Sequence, residues 1–536
     1  MIDLATFRRC YDLAPVRSYT FLGSELSSDK PIVRFDGAIE GWFDPATHVP
    51  WIARAVAADS FTVALVDGYL PALHYLYRDA ETSATCDMTA FAADRAPPGT
   101  ISLYVRLVEG GEGAPRRVRH LRARDEAEIT ADDFERELGA LRARWDAFFR
   151  AAAIPTTDDP ALLNACKASI IRALITFSSQ HPHYGVRRYG ETIHDGFPPT
   201  IIALADCLIE WGHAALAREY LTHYFQRFVT DTGRIDYYGP SLAEYGQLLS
   251  LARRLADATA PADWLGEVHA KLEAMRDWLW SAQANAQRGL IAGVPEADTR
   301  DEVDLYFHNN AWCWHGLRDA AIMLPREGEQ QRCDGYRAAI LAAIDEVTDR
   351  SCDPPFVPPV ARRIKPFETM TQDRYASYTN YRYWLELLSS GILTREQAHA
   401  IIGYRRTHGG EASGMTRFMD RADNWPIAEY GAALLALGEV EECERVLLSH
   451  LAGHMTPQTW TAYEQVSLGG RRRTARGTCR EPRADYCVPA QLVAPRLLAR
   501  LSRALGGAPP AGRCAACGGG APSAGRRARG EGSAGE

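Results

Sequence analysis

Five acids fall within nine residues, Glu296, Asp298, Asp301, Glu302 and Asp304, directly ahead of the aromatic stretches Tyr306-Phe307 and Trp312-Cys313-Trp314. Gly293 and Pro295 set a turn just before the first two of them. A carboxyl group beside an apolar or aromatic wall keeps its proton toward neutral pH, as is needed to protonate the leaving oxygen of a glycosidic bond. Glu296 and Asp298 are therefore the leading candidates for such an acid. A second carboxylate, Glu464, stands between Trp460, Tyr463 and Val466, a setting for a partly buried group able to deprotonate a water. The plainer alternatives are a solvated acidic loop for the first stretch and a satisfied structural glutamate for the second.

Sugars offer hydroxyls to carboxylates, His, Asn and Arg, and C–H faces to aromatic rings. His194 and Asp195 lie in one stretch of that kind, Arg374 and Tyr378 in another, and Asp423 with Trp425 in a third. Asp236, Tyr238, Tyr306, Asn309 and Trp312 are further candidates for substrate contact. Tyr381, Tyr383 and Trp384 fit core packing equally well, and for Trp384 the core is the better reading. Cys313 and His315 are two apart on a helix and do not share a face, and no second ligand cluster is evident, so neither metal nor cofactor is expected. Aspartate-rich diphosphate-binding motifs are absent.

Residues 1–126 carry short β-branched and aromatic runs such as 18–22, 62–66, 73–77 and 101–107, which predict a β-sandwich-like domain. A connector helix is expected over 127–158, opened by Thr130. From 159 to 505 apolar residues recur at three- and four-residue spacing in twelve segments. The connections alternate between short links and long ones at 181–197, 230–240, 288–308, 350–374, 405–423 and 455–486. Long loops in a compact helical domain are usually functional. Long links at every second junction place all six on one face, the layout of a mainly α, (α/α)6 toroid with the even helices inside. No repeat of fixed period favours a solenoid. Residues 506–536 are Gly, Ala, Pro, Ser and Arg with almost no large apolar side chain, a composition expected to be disordered.

With 46% hydrophobic and 24% charged residues over 536 positions, the composition is that of a globular protein with ample core. A net charge of -8 argues against a general nucleic-acid binder. The N-terminus lacks an apolar signal core and no run reaches membrane-spanning length, so a soluble cytoplasmic location is expected, with the twelve cysteines reduced.

The same stretches resemble the glucoamylase-like, six-hairpin glycosidases. In that family a Gly-Ile-Trp-Glu stretch bears the general acid and is followed by an aromatic run and a Met-Cys-Trp-type inner helix. Gly289-Leu-Ile to Glu296, Tyr306-Phe307 and Trp312-Cys313-Trp314 look similar. The family's base sits in a Glu-Gln pair of the last long loop, matched by Glu464-Gln465, and its sugar-gripping Arg-Asp corresponds in place to His194-Asp195. The resemblance implies hydrolysis of an oligosaccharide or glycoside by two carboxylates, with inversion. Here Pro-Glu-Ala-Asp replaces Trp-Glu, and glucosidase- and mannosidase-type relatives place an Asp two residues after a Glu, so Glu296 and Asp298 both qualify as acid. His in place of Arg means that α-glucan specificity is not carried over. A phosphorylase, epimerase or polysaccharide lyase on the same toroid, or a non-catalytic carbohydrate-binding toroid, are the alternative functions.

Overall fold

A computed structural model describes residues 4–10, 16–95, 97–111, 114–123, 127–187, 194–237, 241–259, 261–286, 288–296, 302–474, 477–482 and 491–506. Asp298, Tyr238 and the tail beyond Gly506 lie outside the described residues, as do Cys514 and Cys517.

The N-terminal part is built on one six-stranded antiparallel meander, β3 (Phe61–Leu65), β4 (Ala72–Arg78), β5 (Thr85–Arg95), β6 (Thr100–Gly111), β7 (Ala114–Arg122) and β8 (Ala127–Glu128), each paired with the next. Strand register puts Tyr75, Tyr77 and Met88 on one face and Phe91 and Tyr104 on the other. The first face is covered by the segment around β2 (Ile32–Val33), where the Tyr77 hydroxyl donates to the Asp36 carbonyl at 2.8 Å. On the second face lies helix α1 (Ala131–Arg150), whose Phe134 meets Phe91 edge-on at 5.3 Å. The layers are thus unequal. One large sheet is covered by a helix on one side and by a segment carrying the small pair β1 (Thr20–Phe21) and β2 on the other.

Among the described residues twelve helices follow: α2 (Pro160–Thr176), α3 (Pro198–Glu210), α4 (Ala214–Phe228), α5 (Leu242–Ala258), α6 (Pro261–Ala284), α7 (Phe307–Met323), α8 (Glu329–Val347), α9, α10 (Arg395–Thr407), α11 (Ile427–Ala436), α12 (Val440–Gly453) and α13 (Val493–Ala504). Helix α9 runs through Arg374–Tyr378, a π-helical turn at Thr379–Tyr383, and Trp384–Ser389. Starts are chemically marked. Asp159 caps α2 ahead of Pro160 by accepting from the Ala161 amide at 2.8 Å, and Ser241 with Glu244 forms a capping box on α5.

Every second helix of this series, starting from α3, packs into a closed ring, α3 on α5, α5 on α7, α7 on α9, α9 on α11, α11 on α13, and α13 back on α3. The fold is a mainly α six-hairpin toroid. Inner helices are buried nearly all round, as in α3, where every residue except Ile202 is buried. Helices α5 and α7 touch backbone to backbone: a Cβ on Gly246 would sit 1.9 Å from the Trp312 carbonyl oxygen, so only glycine allows this approach. The last two long links are not plain loops. They form a second sheet in the order β13 (Gly477–Pro482), β12 (Gln465–Thr474), β11 (Arg421–Asp423), β10 (Met415–Phe418), β9 (Glu411–Ala412). Among the described residues no helix is long and apolar enough to cross a membrane.

Candidate active site

The link before α7 is anchored where Glu296 needs it. Gly293 pairs with Asp304 through both backbone groups at 3.1 Å. Asn309 lies wholly buried at the start of α7, donating to the Val294 carbonyl at 2.8 Å and accepting from the Ala243 amide at 3.2 Å. His308 donates through Nε2 to the Pro295 carbonyl at 2.8 Å and stacks on Tyr383. Burial pushes this imidazole down to about 3, so the ring is neutral. These contacts fix the backbone on both sides of position 295 and aim the Glu296 side chain inward, where it is 1% exposed.

There it meets Arg382, from the π-helical turn of α9. A π turn adds a residue to one helical circuit and redirects side chains, which is why such turns recur at functional sites. Arg382 donates Nη1 to Glu296 at 3.0 Å, Nη2 to Glu244 at 3.3 Å and Nε to Glu386 at 3.1 Å. The Tyr381 hydroxyl lies 3.5 Å from the same Glu296 oxygen. Asp423 is also fully buried, accepting from the Trp425 amide at 3.0 Å and from the Gln465 amide at 2.8 Å, and it feels the charges of Glu296 and Arg382. One guanidinium cannot neutralise four buried carboxylates. Burial pushes Glu244 up to about 8 and Glu386 up to about 7, with the Arg382 charge opposing both, and burial drives Asp423 upward as well. The cluster therefore retains protons at neutral pH.

Glu464 is held by Tyr184, whose ring meets that of Trp425 edge-on. Its Oε2 accepts from the Tyr184 hydroxyl at 2.7 Å, and its carbonyl accepts from the Asn424 amide at 3.0 Å. Strand pairing of Asp423 with Gln465 sets this register. The half-buried Trp425 indole has the Arg382 guanidinium at 5.5 Å and the Tyr184 ring at 6.2 Å. His194 packs against Tyr184 at 5.5 Å and shares a 2.9 Å hydrogen bond with the Tyr237 hydroxyl. A cavity of about 30 Å³, room for a water or two, adjoins Trp425, Glu386 and Gln491. The Asn424 side chain borders it and has no protein partner among the described residues, so water in the cavity would satisfy it.

The N-terminal segment braces the Glu464 loop from behind. Tyr463 donates to the Tyr19 carbonyl at 2.6 Å, and the buried Arg172 of α2 bridges the Phe21 and Thr459 carbonyls.

Of the residues expected from sequence, the structure gathers Glu296, Glu464, Asp423, Trp425 and His194 around this centre. Tyr306 and Tyr378 belong to an aromatic cluster with Tyr381 and Tyr383 directly beside it. Trp312 sits a turn deeper, its Nε1 donating to the Glu386 carbonyl at 2.9 Å, and Asn309 spends its side chain on backbone. Arg374 is exposed and covers Tyr378, Asp236 is exposed on its link, and Asp195 pairs with His181. Trp384 is core, as expected. Sequence reasoning missed Arg382, Glu244, Glu386, Tyr184 and Gln491. An arginine at the fourth residue before a glutamate, both inside an apolar helix, was the available signal for Arg382 and Glu386.

No protein-family model and no curated protein sequence matches the chain. Among solved structures, a bacterial glucoamylase complexed with acarbose is similar over 92% of this chain and 89% of its own, at 11% identity and a TM-score of 0.51. A family 76 glycoside hydrolase from a bovine Bacteroides thetaiotaomicron strain is similar over 83% of this chain and 98% of its own, at 9% identity and a TM-score of 0.35. The likeness to the glucoamylase is one of fold, the toroid of six helical hairpins.

Proposed function

We propose that this chain is a glycoside hydrolase whose catalytic barrel spans residues 159–505, with Glu296 as proton donor and Glu464 as base. The observation that supports it most is the pairing around Trp425 of a proton-holding buried carboxyl cluster with a separate, half-buried carboxylate. In this reading a sugar lies against Trp425 and Tyr184, with His194 and Tyr237 contacting its hydroxyls. Glu296 delivers a proton to the glycosidic oxygen as the C–O bond breaks. Glu464 takes a proton from the water that attacks the anomeric carbon from the opposite face, so the configuration inverts. Asp298 stands as the rival acid. The likeness to a solved glucoamylase at 11% identity supports the fold beneath this reading rather than a substrate.

Incubating the purified protein with a panel of oligosaccharides and aryl glycosides, with and without inorganic phosphate, tests it. Phosphate-independent release of reducing sugar, with the inverted anomer formed first by NMR, is the expected result. Release of a sugar phosphate, or no cleavage across the panel, would overturn the hydrolase.

A further inference from the structure

The first long link begins with His181 and His183 and ends with His194-Asp195, and its two ends meet in space. One imidazole nitrogen each from His181 and His183 and one Asp195 oxygen lie within 4.8 Å of one another. His181 Nε2 is hydrogen-bonded to Asp195 Oδ1, and the two histidine rings are 5.1 Å apart. Four-coordinate zinc with ligands at about 2.0–2.1 Å sets its donors roughly 3.3 Å apart, so a small rotamer adjustment closes this set. A second observation points to a ligand. His183 Nδ1 and, from α4, His223 Nε2 are buried with no hydrogen-bond partner among the described residues. The His223 ring lies 6.3 Å from that of His181. Buried polar nitrogens left unpaired are costly, and a metal ion or its bound water is a natural partner for them. His181 and Asp195 remain partly exposed, at 31% and 47%, which leaves a route for an ion to enter. The nearby Lys30 ammonium is occupied by the carbonyls of Ser24, Ser27 and Phe177.

We propose that His181, His183 and Asp195 form a binding site for a divalent transition-metal ion of the zinc class, with His223 or water completing the shell. Two imidazoles and a carboxylate suit zinc far better than calcium or magnesium, which take oxygen ligands. The site lies beside the centre described above without sharing its carboxylates. Tyr184 follows His183 directly, and His194 precedes Asp195. An ion here would clamp both ends of the link that presents Tyr184 to Glu464, so its role is to stiffen that wall rather than to activate water. The spacing of 14 residues between His181 and Asp195 hides the cluster from any reading of local sequence motifs.

The test uses the full chain, stripped with a chelator, dialysed and titrated with Zn2+ alone by calorimetry. One ion per chain is expected, with a rise in the wild-type melting temperature of several degrees on adding Zn2+. His181→Ala and His183→Gln should each weaken binding at least about ten-fold and abolish that rise, while circular dichroism without metal stays unchanged. His399→Ala, a histidine on an outer helix, should bind as the wild type does. Absence of stoichiometric uptake by the wild type overturns the site, and so does uptake that both variants retain. If either variant is misfolded by circular dichroism, Asp195→Asn replaces it, with the same loss of binding expected and retained binding again contradicting the site.

Discussion

The Tyr184 hydroxyl donates to the Glu464 carboxylate at 2.7 Å although 280 residues separate them in sequence. The bond joins the first long link of the toroid to the last, across the point where the inner ring closes between α13 and α3. Gln491, at the entrance to α13, donates in turn to the Tyr184 oxygen at 2.8 Å. A carboxylate held in this way has one orientation rather than several, and a base must be oriented toward its water.

Tyr184→Phe removes that donor while keeping the ring against His194, Phe197 and Trp425. Turnover should fall by about ten-fold or more, while stability should fall by no more than about 1–2 kcal/mol, the usual scale for one buried hydrogen bond. Steady-state kinetics and a denaturant melt measure the two separately. Unchanged turnover would show that Glu464 needs no such support.

Arg382→Met leaves Glu244, Glu296 and Glu386 buried without their cation. The expected loss is about 3–5 kcal/mol at neutral pH, the scale for stripping one partner from a buried ion pair. Arg382→Lys should not rescue it, because a single ammonium cannot reproduce three separately directed guanidinium bonds. Chemical denaturation of both variants checks this. A Lys variant with wild-type stability would mean that charge alone matters at this position.

Glu386→Gln keeps an oxygen for Arg382 but cannot ionise. In the folded chain Glu386 titrates at about 7 against an ordinary 4.5. The folded state thus holds a proton that the unfolded state releases, and the wild type loses stability from this group as pH rises through that window. The variant is spared the loss. Its melting temperature relative to wild type should therefore climb between about pH 4.5 and 7 and level off above. A difference that stays flat, or that falls with pH, would contradict the buried titration.

The toroid was legible because each inner helix must bury almost its whole surface, so apolar runs and the alternation of link lengths carried the architecture. Glu296 and Glu464 stood out through their aromatic neighbours. Arg382 did not, since its three partners come from the α5 start, the link before α7 and the next turn of α9, and no local spacing records such a meeting. Glu244 also accepts from the Ser241 amide at the start of α5, an ordinary helix-start role that gives no sign of its second contact. The sheet β9–β13 was read as two loops, because strands of two to four residues such as β9, β10 and β11 show too little alternation to register. Those strands matter: they carry Asp423 to Gln465 and thereby fix the approach of Glu464.

The most direct test of the central claim compares two variants on two substrates. A general acid is needed most when the leaving group is poor, whereas a base is needed whatever leaves. Glu296→Gln should lose activity on an oligosaccharide cleaved by the wild type yet keep appreciable cleavage of the matching glycosyl fluoride. Glu464→Gln should fall by roughly 10²-fold or more on both, with its melting temperature close to wild type. If Glu296→Gln loses both substrates equally while Asp298→Asn shows the leaving-group dependence, the acid is Asp298. Near wild-type turnover in Glu464→Gln would contradict the account itself.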